Sequence, residues 1–240
     1  MTTKARAEHD DHPDHRALAG GTARAGVFGL SDGLVTNVSL IIGFAASGIG
    51  NDVVRLAGIA SAVAGAVSMA AGEWVSIKAQ NELVQREMAL ELRELKLNTS
   101  AETSELAGIY RSHGMSSAQA TASAAEVMRN PERAVMVHAR EEFGLDPAHL
   151  PNPLNVAVVS LVSFLIGALL PVVPWIVSGG NGARVASIAI GVVSAAITGG
   201  AIARQSERPI VTGSIRQVAI LLIAVGVTYA IGTVVGVNVA

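Results

Sequence analysis

Residues 154–177 read LNVAVVSLVSFLIGALLPVVPWIV, and this run decides the fold class. As a helix it would extend about 36 Å at 1.5 Å per residue, more than the ~30 Å of a bilayer's hydrocarbon core. Apolar runs of similar length follow at about 184–203 and 214–238 and precede it at about 25–49 and 53–77. Their apolar residues are continuous rather than alternating, which argues against a transmembrane β-barrel. The pattern predicts an all-α membrane protein with five transmembrane helices. Composition agrees: of 240 residues half are hydrophobic, only 15% are charged and mean hydropathy is +0.47, where soluble domains carry about 25% charged residues. Aromatics are 3% against 25 glycines, a mixture suited to helices packed closely in lipid.

Between the second and third runs lies a different material. Residues 78–150 are polar, charged and helix-forming, and predict a helical domain inserted between the second and third spans. Its first helix continues the second span, because 73–97 holds neither Pro nor Gly. Thr99-x-x-Glu102 matches a capping box, Gly114 a helix C-terminus, Ser116-x-x-Gln119 a further start, and Asn130-Pro131 a cap followed by proline. Residues 1–22 form a polar tail without the apolar core of a signal peptide; it is expected to be flexible, and its His9, His12 and His15 offer only loose metal capture. The remaining domains are 23–77, spans one and two, and 151–240, spans three to five.

The Lys and Arg residues orient the chain. The tail with Arg24 just after it, the middle domain, and the loop after the fourth span with Arg216 just beyond it hold all of them except Arg55 and Arg184. By the positive-inside rule the N-terminus and the middle domain face the cytoplasm. A net charge of −2 gives no footprint for nucleic acid. With no cysteine, disulfides and thiolate metal sites are excluded, so a metal must be held by carboxylate, imidazole, thioether or carbonyl groups.

Ionisable residues inside the apolar runs carry the chemistry. Asp32 lies within the first, with Thr36 and Ser39 on the same helical face; a carboxylate there costs about 2.5–3.5 kcal/mol on insertion scales and marks a cavity or a partner. It is a mere helix cap only if that span begins late. Met69 and Glu73, four apart in the second span, project thioether and carboxylate from one face. Together with Asp32 they suit a borderline divalent ion such as Fe²⁺ better than Mg²⁺ or Ca²⁺. In the middle domain Glu91-x-x-Glu94 and Glu102-x-x-Glu105 place carboxylate pairs that converge if the chain folds back at 98–100, with Glu87, Glu141 and Glu142 available to add to them. Convergent carboxylates repel unless a cation or proton intervenes; as isolated pairs they are ordinary solvated helix surface. Gly232-x-x-x-Gly236 permits close helix approach. No phosphate loop, nucleophile–base arrangement or H-E-x-x-H motif occurs, and no enzyme activity is expected.

At these residues the chain resembles the vacuolar iron transporter family, as a bacterial-type member, over about residues 22–238. Asp32-Gly33-Leu34-Val35-Thr36 is similar to the family's D-G-L-x-T. Ser68 to Ser76 (SMAAGEWVS) is similar to its S-M-A-x-G-E-[FWY]-[VI]-S, and Leu150–Pro153 with Ser163–Pro171 resembles its approach to the third span. The resemblance implies a homodimer with the translocation path between subunits, and export of Fe²⁺ from the cytosol in exchange for protons. It implies that Asp32 and Met69 line the path with Glu73 nearby, and that Glu91, Glu94, Glu102 and Glu105 bind metal in a cytoplasmic domain. On the last helix of that domain the plant pattern M-M-x-x-E reads His138-Ala139-x-x-Glu142 here. Glu142 carries over; His138 offers an imidazole instead of a thioether, and Ala139 offers nothing.

No prosthetic group is expected; Fe²⁺ is the bound and transported ion, with Mn²⁺, Co²⁺ and Zn²⁺ as alternatives. In a bacterium the membrane is the cell membrane. Two further readings remain open: a Mn²⁺ or broad divalent exporter, and a metal-binding membrane protein without transport. A ferritin-like oxidase is disfavoured, because no E-x-x-H pair occurs in 78–150.

Overall fold

The computed structural model describes residues 21–144 and 147–237, which form helices and connecting turns without strands. Among the described residues five helices are long and apolar enough to cross a membrane: α1 (Gly21–Ala46), the first part of α2 (Asn51–Leu97), the third span Pro153–Val177, α8 (Gly180–Gln205) and α9 (Ile210–Val237). Between α2 and the third span stand α3 (Thr99–Ser112), α4 (Ser117–Val127) and α5 (Pro131–Phe143). The histidines at 9, 12 and 15 lie outside the described residues. Gly21 and Thr22 belong to α1 rather than to the polar tail.

α1 is the central helix, packed against α2, α6 (Pro153–Leu169), α8 and α9. Its Leu34, Val38, Ile41 and Ile42 form one apolar core with Val54, Trp175, Ala195 and Leu221. Close crossings rest on missing side chains. A Cβ at Gly33 would strike the Phe164 carbonyl oxygen, and one at Gly167 the Leu30 carbonyl oxygen, so α1 and α6 touch backbone to backbone. The Gly232-x-x-x-Gly236 pair does the same for α9, against the carbonyls of Gly43 on α1 and of Ser47 just past its end.

The third span is broken. Asn152 caps α6 by accepting from the Leu154 and Asn155 N–H groups, and Pro153 opens it. Pro171 and Pro174 then remove two helical donors, leaving a 3₁₀ turn at Leu170–Val172 and a short α7 (Val173–Val177). Side chains from other spans answer the break. Ser187 donates to the Pro171 carbonyl at 2.6 Å, and Asn37 Nδ2 donates to the Ala168 carbonyl at 2.6 Å and the Gly58 carbonyl at 3.0 Å.

α2 runs without interruption for 47 residues, so the second span and the first helix of the inserted domain are one rod. The domain's other boundaries follow its capping chemistry. Ser116 and Gln119 form the expected capping box, Asn130 caps α5 ahead of Pro131, and Gly114 (φ +94°) closes α3 in the left-handed region. Thr99 departs from expectation. It is the first residue of α3, its hydroxyl donates back to the Leu95 carbonyl at 2.7 Å, and no side chain caps the helix. Glu102 cannot complete a capping box because its carboxylate is turned into the domain interior.

Candidate metal site

Three helices bring four side chains to one point inside the inserted domain. Glu91 comes from the far end of α2, Glu102 from the first turn of α3, and His138 and Glu142 from successive turns of α5. A ligand atom from each lies within 4.8 Å of the other three. Around them an apolar cluster of Leu95, Leu106, Ala107, Ala120, Ala124, Ala134 and Val135, with Met88 and Met128 against it, holds the helices in register. Glu91 is 5% exposed, Glu102 8% and His138 0%.

These groups are poorly satisfied by one another. His138 Nδ1 lies 2.8 Å from Glu142 Oε1 and 3.1 Å from Glu91 Oε1. The first contact is a well-formed hydrogen bond; the second is misaligned, and Glu91 Oε1 and His138 Nε2 are buried without a hydrogen-bond partner among the described residues. Buried, unpaired polar atoms are costly. Burial, with Glu142 close by and only His138 opposing, pushes the Glu91 carboxyl up to about 7. Burial and the neighbouring Glu105 raise Glu102 too, again against His138. Three carboxylates and one imidazole, with the Glu91 and Glu102 carboxyls resisting ionisation when the site is empty, are chemically suited to a divalent cation.

Each E-x-x-E pair is split. Glu91 and Glu102 turn inward, while Glu94 and Glu105 are exposed and act on the cluster only through their charge. Two residues three apart on a helix point about 60° apart, so a tight cluster takes only one of each pair. Glu87 is half-buried and outside the group, and Glu141 faces His113 at 3.6 Å.

The intramembrane residues sit elsewhere. α1 begins eleven residues before Asp32, which rules out a helix-cap role for it. Asp32 is exposed and accepts a 3.2 Å hydrogen bond from Thr36. Thr36 and the buried Ser39 line a groove of about 830 Å³ between α1 and α9 that continues past Gly43 to Ser47. Met69 is half-buried against Ala62, Ala66, Phe164 and Ala168. Glu73, one turn on, is half-buried and makes no ion pair among the described residues. Two polar residues not singled out from the sequence prove structural: Asn37 at the third-span break, and Gln217, whose amide donates to Ser31 beside Asp32. An amide within an apolar run was the available signal, because it must find a partner in lipid.

Among known protein families, residues 23–233 match the VIT family. "Vacuolar iron transporter 1" of Oryza sativa subsp. japonica is 27% identical over 78% of this chain and 74% of its own length. "Vacuolar iron transporter 1" of Arabidopsis thaliana is 28% identical over 75% and 73%. The "Vacuolar iron transporter" of Acanthamoeba castellanii is 30% identical over 80% and 73%. With four spans packed around α1 and a match covering nearly all five, this chain is a multi-pass membrane protein and belongs to the VIT family, whose members are transporters rather than enzymes.

Proposed function

We propose that this protein exports ferrous iron from the cytosol in exchange for protons. Its inserted domain faces the cytoplasm, as the Lys and Arg distribution favours, and gathers the ion at Glu91, Glu102, His138 and Glu142. The observation that carries this reading is that four-ligand cluster, three of its members buried, built partly on a helix that continues unbroken into the second span. Asp32, Met69 and Glu73 then form the path through the membrane. In a homodimer the exposed Asp32 faces a second copy across the subunit interface, so that two protomers together enclose the ion. A carboxylate in such a path is occupied by a proton or by a metal ion but not by both, which is what exchange requires.

The test is Fe²⁺ uptake into proteoliposomes with proton movement followed by a trapped pH dye. Fe²⁺ entering should drive protons the opposite way. Asp32→Asn should abolish both fluxes, and Glu91→Gln with Glu102→Gln should raise the Fe²⁺ concentration needed. Fe²⁺ flux without proton movement, or flux indifferent to Asp32→Asn, overturns the exchange. A second reading, Mn²⁺ or broad divalent export, is favoured by the three carboxylates and imidazole of the cluster, donors that Mn²⁺ accepts readily. Competition among Fe²⁺, Mn²⁺, Co²⁺ and Zn²⁺ in the same vesicles separates the two.

A further inference from the structure

The geometry points to His138 as the residue that sets the metal preference of the cytoplasmic site, acting through its Nδ1 atom. This rests on the reading of the cluster as a metal-capture site and says which ions it holds best. Of the two ring nitrogens, Nδ1 is the one beside the carboxylates, 2.8 Å from Glu142 Oε1 and 3.1 Å from Glu91 Oε1. The ring is completely buried and Nε2 has no hydrogen-bond partner among the described residues, so there the imidazole is held by packing and not by a bond on its far side. Glu91, Glu102 and Glu142 supply oxygen alone, and the neighbouring Ala139 is buried without a donor. Nδ1 is therefore the single nitrogen among these four ligands.

One ion fits among them. Donors bound at about 2.0–2.2 Å stand 3–4 Å apart around a common centre, and separations of up to 4.8 Å close to that with small side-chain movements. Three carboxylates alone would hold Mn²⁺ about as readily as the later metals, since oxygen donors distinguish divalent ions weakly. One imidazole tilts the site along the Irving–Williams order, toward Fe²⁺, Co²⁺ and Zn²⁺ over Mn²⁺. His138 thus makes the site selective; the glutamates make it bind.

The full-length protein in detergent tests this with Co²⁺ and Mn²⁺ as probes. An Asn side chain puts its amide oxygen where Nδ1 stands, and a Gln side chain reaches the position of Nε2. His138→Asn should weaken Co²⁺ binding by about tenfold while Mn²⁺ binding changes by less than about threefold. His138→Gln should weaken both. Independently of any variant, spin-echo spectra of the Mn²⁺-loaded parent protein should show modulation from a directly bound imidazole nitrogen. A Co²⁺-to-Mn²⁺ affinity ratio unchanged in His138→Asn, or no nitrogen modulation in the parent, overturns the assignment. Glu91→Gln separates the levels. If it abolishes binding of both ions while the nitrogen signal is absent, imidazole ligation alone fails. If the parent binds neither ion, the capture reading fails with it.

Discussion

Asn37 and Ala168, 131 residues apart in sequence, are joined by a 2.6 Å hydrogen bond from Asn37 Nδ2 to the Ala168 carbonyl, just where the third span stops being α-helical. The same nitrogen reaches Gly58 on α2, so one amide ties three spans. Replacing it with a side chain of similar size, Asn37→Leu, leaves two buried carbonyls without that donor. Such bonds contribute about 1–2 kcal/mol inside membranes. The expected result is a lower thermal midpoint for the detergent-solubilised protein; an unchanged midpoint shows that water or rearranged backbone replaces the amide.

The backbone crossing of α1 and α6 makes a sharper demand. Gly33→Ala and Gly167→Ala each place a methyl group against a carbonyl oxygen of the facing helix, and overpacking of this kind costs about 1–3 kcal/mol. Gly226→Ala, on an exposed part of α9 with open space around it, is the control. Expression and melting of the three variants should separate the first two from the third. Equal behaviour means that the helices move apart freely.

The cluster should also govern how pH acts on the metal-free protein. The Glu91 carboxyl is raised from an ordinary value of 4.5 to about 7, and Glu102 is raised in the same direction. A carboxyl whose folded value is raised contributes stability that is fully present below its unfolded value. That contribution is lost as pH climbs through the folded value. Metal-free protein should therefore melt at a lower temperature at pH 8 than at pH 5.5. A divalent ion should reverse the trend, because it replaces the missing protons. Glu91→Gln should flatten the pH dependence; the same slope in that variant would place its origin elsewhere.

Metal affinity should move the opposite way. Proton and cation compete for Glu91, so apparent affinity falls as pH drops through about 7. Titrating metal into weakly buffered protein at pH 6.5 should release protons. Release undiminished in Glu91→Gln would mean that other groups supply them.

The chain contains no cysteine, so single cysteines can be placed without first removing others. Ser178, between α7 and α8, and Ser206, between α8 and α9, are exposed on connections at opposite ends of α8. In intact cells an impermeant maleimide should label Ser178→Cys and spare Ser206→Cys until the membrane is opened. The reverse pattern would invert the proposed orientation.

The five spans were legible because burial in lipid demands long apolar runs, and 154–177 satisfies that demand without help from any other part of the chain. Local punctuation was legible too: Gly114, Ser116 and Asn130 each terminate or begin a helix through bonds to residues close in sequence. Thr99 misled because the same hydroxyl can cap a helix or bond back to the preceding turn. The turned-in Glu102 decides which, and that depends on helices α2 and α5. Likewise the pattern showed two carboxylate pairs but not that Glu94 and Glu105 would face outward, a choice made by the packing of Leu95 and Leu106 beneath them. For Asn37 the buried amide signalled a bond but not its partners, which are backbone carbonyls that every residue possesses.

α2 has one more consequence. Glu73 and Glu91 are eighteen residues apart on this single rod, which at 3.6 residues per turn is five complete revolutions and about 27 Å of rise. The two carboxylates thus share a compass bearing, one at membrane depth and one in the inserted domain. Any roll of that mast about its axis swings both by the same angle, so a movement of the rod at one carboxylate is carried to the other.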